Sequence, residues 1–106
     1  MQNIDYVSPF LHEVTSMIGK RWNFRVLWEL RRHKHMRYNE LLASLDGISP
    51  STLAETLRYL EGQKLIKRAS YGKSPPYRVE YMVTESGFTL LVASSPLIMW
   101  AIKKTF

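Results

Sequence analysis

The segment ISPSTLAETLRYLE, residues 48–61, decides the fold of this chain. Ser49 can accept a hydrogen bond from the first free N–H groups of a helix, and Pro50 suits the first helical position, where no N–H is needed. At about 100° per residue, one face carries the leucines Leu53, Leu57 and Leu60. The opposite face carries Ser51, Glu55, Arg58 and Tyr59. The segment is therefore predicted to form a short helix, closing near Gly62, that packs on a core and exposes side chains suited to base edges and phosphates.

Three more helices are predicted before this segment, because apolar residues recur there at helical spacing between capping and stop residues. Their expected spans are Ser8 to Ile18, Asn23 to Arg32 and Asn39 to Leu45. Gly19 stops the first of them, and Asp46-Gly47 ends the third. Only a few residues centred on Gly47 separate the third helix from the fourth, which is the spacing of a helix-turn-helix.

After the fourth helix the hydrophobic period changes, and two segments look like strands, the second of which alternates well. The predicted strands are Leu65 to Tyr71 and Tyr77 to Val83. The tip between them, GKSPP at residues 72–76, cannot continue either a helix or a sheet. Thr84 is expected to cap a last helix, which Pro96 should kink or break before Trp100.

Helix, tight turn, helix and hairpin in this order predict a winged helix-turn-helix. The fold class is therefore mainly α (α+β), with about five to six helices and a two-stranded β wing. At 106 residues the chain is expected to be one domain, residues 1–106, large enough for a single core. No internal repeat or low-complexity linker divides it.

The composition narrows the class of partner. Fifteen Lys and Arg against nine Asp and Glu give a net charge of +6, which favours a polyanion, with nucleic acid ahead of an anionic membrane. The absence of cysteine excludes disulfides, thiolate metal sites and thiol-based redox sensing within this chain. No uninterrupted apolar run reaches the roughly 18 residues of a membrane span, and the first residues lack a secretion signal, so a cytoplasmic protein with no membrane partner is expected.

Six short motifs resemble, in the same order, those of the HxlR family of winged-helix transcriptional regulators, which is related to the MarR group. In this sequence they read IGKRW (18–22), RYNEL (37–41), GISP (47–50), LRYLE (57–61), KLIKR (64–68) and VEYMVTESG (79–87). The resemblance extends over about residues 8–102, which is nearly the whole chain.

The resemblance implies a homodimer that binds operator DNA, with the fourth helix in the major groove and the wing over the flanking backbone or minor groove. It also implies dimerisation through the first and last helices. Many family members sense oxidants or electrophiles through a cysteine just before a proline at the start of the first helix. Ser8-Pro9 takes that place in this sequence, and a serine hydroxyl cannot do thiolate chemistry. A small-molecule effector therefore stays unidentified.

On this interpretation, the DNA contacts come from the fourth helix and the wing. Arg58 suits guanine or phosphate, and Glu55 suits a cytosine amino group. Arg37 is included because it immediately precedes the third helix. The predicted set is Arg37, Ser49, Ser51, Thr52, Glu55, Arg58, Tyr59, Lys67, Arg68, Lys73 and Arg78. The alternatives left open are an ordinary solvated helix face and a wing whose charges only keep the protein soluble.

The basic block RRHKHMR, residues 31–37, has a second explanation, because cations at a helix C-terminus are favourable in any protein. His33 and His35 have no cysteine and no acidic neighbour in the sequence, so no metal and no cofactor are predicted. The chain has no nucleophile, glycine-rich loop or paired carboxylate that could support catalysis, so it is not expected to be an enzyme.

Apolar residues on more than one face of the last helix exceed what one small core requires, and they predict a subunit interface shared with the first helix. The predicted interface residues are Phe10, Leu11, Val14, Met17, Leu91, Ile98, Met99, Trp100 and Ile102. The alternative is the fully buried terminal helix of a monomer. Trp22, Trp28 and Trp100 could equally line an effector pocket or belong to the core.

The sequence thus predicts a regulator that binds double-stranded DNA as a homodimer, with recognition helices roughly 34 Å apart on an inverted-repeat operator. The competing hypothesis is a winged-helix module for protein–protein interaction, with the hairpin as the adhesive surface. The basic character of the hairpin favours DNA.

Overall fold

The structure is a computed structural model that describes residues 8–106, apart from the side chain of Ser8. In chain order the elements are α1 (Ser8–Ile18), α2 (Asn23–His33), α3 (Tyr38–Ser44), α4 (Pro50–Gly62), β1 (Ile66–Tyr71), β2 (Arg78–Val83), α5 (Glu85–Ala93) and α6 (Ser95–Thr105). The predicted winged helix-turn-helix architecture is confirmed, and most predicted bounds agree within one residue.

The third helix shows why one bound differs. It begins at Tyr38 rather than Asn39, because the Glu40 carboxylate accepts a hydrogen bond from the backbone N–H of Arg37 at 2.7 Å. This closes the first turn one residue earlier than the apolar pattern suggests. The helix also ends at Ser44, since Leu45 already leaves the helical backbone region.

The core is built around α2. Val26, Leu27 and Leu30 are fully buried, and they pack with Leu41 of α3. The leucine stripe of α4 closes the same core, with Leu53 and Leu60 at zero exposure, so the predicted inward face of that helix is confirmed.

A glycine conformation and a hydrogen bond together fix the angle between α3 and α4. Gly47 has φ +92°, a left-handed conformation that glycine adopts without a steric penalty, and it turns the chain between the helices. The Tyr38 hydroxyl donates a hydrogen bond to the Pro50 carbonyl at 2.7 Å, which ties the start of α3 to the start of α4. As predicted, Ser49 caps α4, and its Oγ accepts from the Thr52 N–H at 3.2 Å.

The hairpin is antiparallel, with Ile66 paired to Val83 at its base and Tyr71 to Arg78 at its tip. Met36, just before α3, forms a one-residue antiparallel bridge to β2, because it exchanges backbone hydrogen bonds of 2.8 and 3.0 Å with Tyr81. This bridge anchors the base of the hairpin to the helical core.

A glycine allows α5 to lie against the hairpin. Thr84 caps α5 by accepting from the Gly87 N–H at 3.1 Å, and it donates to the Lys64 carbonyl at 2.7 Å. A Cβ on Gly87 would overlap the Leu65 carbonyl oxygen and lie 2.8 Å from Cγ1 of Val83. Only glycine lets the helix approach this closely.

Helices α5 and α6 form an arm, in which α5 packs against α2 and β2 and α6 continues from α5. The predicted interruption is confirmed at Ser94, whose φ of −80° and ψ of −10° stay in the right-handed helical region. The radius of gyration is 16.0 Å, against about 13 Å for a compact chain of this length.

One helical segment has the length and composition of a membrane span. By these two criteria alone Glu85–Thr105 could cross a membrane, and only 6% of its most apolar stretch is buried. The apolar run in this segment is not uninterrupted, because Ser94, Ser95 and Pro96 divide it. One such helix is weak support for a membrane span.

Candidate nucleic-acid interface

The outward face of α4 is a narrow polar stripe. Ser51, Glu55 and Arg58 are all exposed, and their spacing of four and three residues puts them on one line along the helix. Within residues 8–106, no carboxylate lies within 4 Å of the Arg58 guanidinium. Arg58 is therefore free to bind an anion or a base edge.

The other predicted α4 contacts lie beside this stripe. The Ser49 hydroxyl is engaged in the cap and donates to Thr52 Oγ1 at 2.9 Å. Thr52 and Tyr59 are half-buried, and both line a hollow between α4 and the turn that connects α1 to α2. The Lys20 ammonium lies 5.2 Å from the centre of the Tyr59 ring. Of the six residues predicted as DNA contacts in α4 and its cap, three lie on the exposed stripe and the other three lie beside it.

The cations of the wing lie on different faces of the hairpin. Cross-strand partners share a face of the hairpin, and Arg68 and Tyr81 both line a hollow of about 340 Å³ with Arg58. Lys67, one residue earlier, points to the opposite face. Arg68 and Arg58 therefore lie on the same hollow, which Glu61 also lines, and Lys67 lies outside it.

Arg78 has an internal partner. Its Nη2 lies 3.0 Å from Oε1 of Glu80, whose side chain is only 15% exposed. The other oxygen of Glu80 is 3.9 Å from Nδ1 of His35. Arg78 thus carries a largely offset charge, whereas Lys73 at the hairpin tip is exposed and has no carboxylate within 4 Å in the described part of the chain.

Within the basic block, Arg37 and Lys34 are exposed and have no carboxylate within 4 Å among residues 8–106. Arg32 and His33 both contact Glu29 at 3.4 Å, and the Arg31 guanidinium lies 4.6 Å from the centre of the Phe88 ring. Arg37 is exposed and lines a hollow between α3 and the wing. Over the described range 8–106, no three His, Asp or Glu side chains are grouped so as to hold a metal ion.

Sequence reasoning missed a second cationic group beside α4. Lys20 and Arg21 line the same hollow as Thr52, Glu55 and Tyr59, and Arg25 follows one turn later on α2. The available signal was the motif IGKRW, whose two cations were treated only as part of a family resemblance.

The apolar surface predicted for dimerisation is largely exposed. The exposed members are Phe10, Leu11, Val14, Ile98, Met99, Trp100 and Ile102. Trp100 is 59% exposed. One member needs correction, because Met17 is 8% exposed and belongs to the core. Leu91 is half-buried against the core and stays a predicted interface residue.

Met17 is drawn inward by the turn after α1, because the buried amide of Asn23 donates from Nδ2 to the Met17 carbonyl at 2.9 Å. The sequence left open whether Trp28 belongs to the core or lines a pocket. In the structure Trp28 is 57% exposed. It lines a groove of about 600 Å³ with Phe88, Val92 and Met99.

Comparison with known proteins assigns this geometry to a family. The sequence profile of the HxlR-like helix-turn-helix family matches residues 17–105. An HTH-type transcriptional regulator of Halalkalibacterium halodurans is 34% identical over 96 residues, which cover 91% of this chain and 83% of that protein. The regulatory protein MalR of Fusobacterium mortiferum is 38% identical over 85 residues, covering 80% of this chain and 79% of its own.

Solved structures agree. A MarR-family transcriptional regulator from Enterococcus faecalis V583 superposes with a TM-score of 0.81 at 32% identity, covering 92% of this chain and 87% of the other. The reduced form of the regulator YodB from Bacillus subtilis gives 0.78 at 30% identity, covering 88% and 89%. The chain belongs to the HxlR-like helix-turn-helix family of transcriptional regulators, whose partner is DNA.

Proposed function

We propose that this protein, as a single domain of residues 1–106, binds an inverted-repeat operator as a homodimer and regulates transcription without catalysis. The observation that carries the proposal is the exposed stripe Ser51, Glu55 and Arg58 on a helix that is capped, core-packed and held at a fixed angle to α3. An α-helix about 10–12 Å across fits the major groove, which is about 12 Å wide.

The dimer is supported by the apolar face of α1 and the α5–α6 arm. Large side chains on both elements are about half exposed, as in Phe10 at 59%, Ile98 at 52% and Trp100 at 59%. Clusters of large exposed apolar side chains are unusual on a monomer and are typical of an interface. A two-fold pairing through it would present two copies of α4 to successive turns of one duplex, and this is why the operator is expected to be an inverted repeat.

The proposed division of labour assigns sequence preference to α4 and general affinity to the surrounding cations. Arg58 and Glu55 can reach base edges, where sequence is read. Arg37, Arg68 and Lys73 bind phosphates, which contribute affinity without sequence information. Arg78 contributes less than sequence alone suggested, because Glu80 offsets its charge.

Regulation in this proposal does not use a thiol. The chain has no cysteine, and Ser8 stands at the start of α1, where the family resemblance would place a reactive cysteine. The protein is proposed to act in the cytoplasm, and any effector would act by a non-covalent route.

The test compares Arg58→Ala with Lys73→Ala, each measured by fluorescence anisotropy on a selected operator and on a scrambled duplex. Arg58→Ala should reduce the ratio of specific to random affinity by about 5-fold or more for each lost base contact, as expected for a loss of roughly 1–3 kcal/mol. Lys73→Ala should weaken both duplexes by a similar factor. Lys103→Ala, which removes one charge from the far end of α6, is the control. Equal effects of the two variants on the ratio would contradict the division of labour.

A further inference from the structure

We propose that Lys20, Arg21 and Arg25 form a second phosphate-binding site, the α1–α2 shelf, which holds a DNA strand on the side of α4 opposite to the hairpin. The inference rests on the proposed DNA-binding function and adds a contact surface to it. None of the three residues belongs to the recognition helix, to the wing or to the segment around Arg37.

The shelf and α4 share one wall. A hollow of about 220 Å³ is lined on one side by Lys20 and Arg21 and on the other by Thr52, Glu55 and Tyr59. The Lys20 ammonium lies 5.2 Å from the centre of the Tyr59 ring. This cation of the α1–α2 shelf therefore lies against α4, the helix that is proposed to enter the groove.

The other flank of α4 also carries an excess of positive charge. There Arg58, Arg68 and one acid, Glu61, line the hollow beside the hairpin. A helix that fills the major groove has a sugar–phosphate strand on each side, since the groove is only about as wide as the helix. Cations on both flanks therefore match the two strands, whereas a wing alone would hold one.

The arrangement of the two arginines also calls for an anion. The guanidinium carbons of Arg21 and Arg25 are each 5.1 Å from the centre of the Trp22 ring, and Trp22 itself is buried. The two guanidinium carbons are therefore at most about 10 Å apart, which is about one Debye length at 0.1 M salt, and the two charges repel. Within residues 8–106, no carboxylate lies within 4 Å of Lys20, Arg21 or Arg25 to offset them. A phosphate bound between them would relieve this repulsion.

Glu55 sets the position of the strand. Its carboxylate lines the same hollow and repels a phosphate there, so the strand is expected to follow the cationic rim and leave Glu55 facing the bases. A base amino group can donate to Glu55 from that side.

The experiment measures affinity for the operator over a salt series. The test variant is Lys20→Met with Arg21→Gln, which removes two charges and keeps side chains that can cover Tyr59 and Trp22. The double variant removes two phosphate contacts from each protomer, so the slope of log affinity against log salt for the dimer should become shallower by about 3.6. The control is Lys34→Ala with Lys103→Ala, which removes the same charge at positions away from both hollows beside α4. The control should leave the slope unchanged.

A second measurement identifies the strand. The affinity is then measured on duplexes in which single phosphates are replaced by uncharged methylphosphonates. In Lys20→Met with Arg21→Gln, the affinity should no longer fall when the replaced phosphate lies on one strand of a half-site. In Arg68→Ala, the affinity should no longer fall when the replaced phosphate lies on the other strand of that half-site. The inference is overturned if the test variant keeps the wild-type slope, or if both variants respond at the same phosphates. A wild-type protein that bound no duplex at all would remove the proposed function as well, and the two failures are thus distinguishable.

Discussion

Replacement of Trp100 by alanine tests the proposed dimer through its most exposed tryptophan. The side chain is 59% exposed, which corresponds to about 150 Å² if a whole tryptophan presents about 250 Å². At about 25 cal/mol per Å², burial of this area stabilises the interface by about 3–4 kcal/mol for each protomer. Even if only half of it is covered, the two copies together contribute about 3–4 kcal/mol, so Trp100→Ala should raise the dimer dissociation constant at least about 100-fold.

The assay is sedimentation velocity over a concentration series, with Tyr77→Ala as the matched control. Tyr77 is 50% exposed and lies just before β2, away from the arm, so its loss removes a similar aromatic surface from elsewhere on the molecule. Trp100→Ala should shift the population toward monomer, and Tyr77→Ala should not. An unchanged dissociation constant in Trp100→Ala, or an equal shift in both variants, would refute the assignment of the arm to the interface.

Three further substitutions test the packing and the recognition helix. Gly87→Ala should lower the free energy of unfolding by about 1–3 kcal/mol, because the added methyl group overlaps the Leu65 carbonyl, and an unchanged denaturation midpoint would contradict the close packing of α5. Tyr38→Phe removes the 2.7 Å hydrogen bond to Pro50 and should cost about 0.5–1.5 kcal/mol of stability and weaken operator binding, whereas full retention of both would show that this bond does not set the helix angle. Glu55→Gln removes a negative charge that faces the duplex, so affinity for random DNA should rise while preference for the operator falls, and a fall in random binding would argue against that placement.

The recognition helix could be predicted from sequence because all its determinants are local. The Ser49 cap, the Pro50 start and the leucine spacing each follow from residues within one or two turns, and the structure confirms them. The interruption before α6 was predictable for the same reason, since a proline limits the backbone within its own turn.

Contacts between distant segments could not be read in the same way. The Met36–Tyr81 bridge joins single residues 45 positions apart, and one residue has no periodicity to reveal a strand. Met17 shares the helical stripe of Phe10 and Val14, but the Asn23 amide after the turn draws the end of α1 into the core.

The ion pair between Arg78 and Glu80 could have been predicted from the sequence. Arg78 and Glu80 are two residues apart on a strand, so they share a face, and an ion pair between them follows from the period of the strand. By contrast, the position of Lys20 over Tyr59 depends on how the α1–α2 turn packs against α4, and no local pattern specifies that packing.

Selection of bound sequences from a pool of random duplexes tests the central claim most directly. Two copies of α4 related by a two-fold axis should enrich an inverted repeat whose half-sites are centred about 10–10.5 base pairs apart, or a multiple of this spacing. Enrichment of a single unrepeated half-site, of a direct repeat or of no sequence at all would contradict the account.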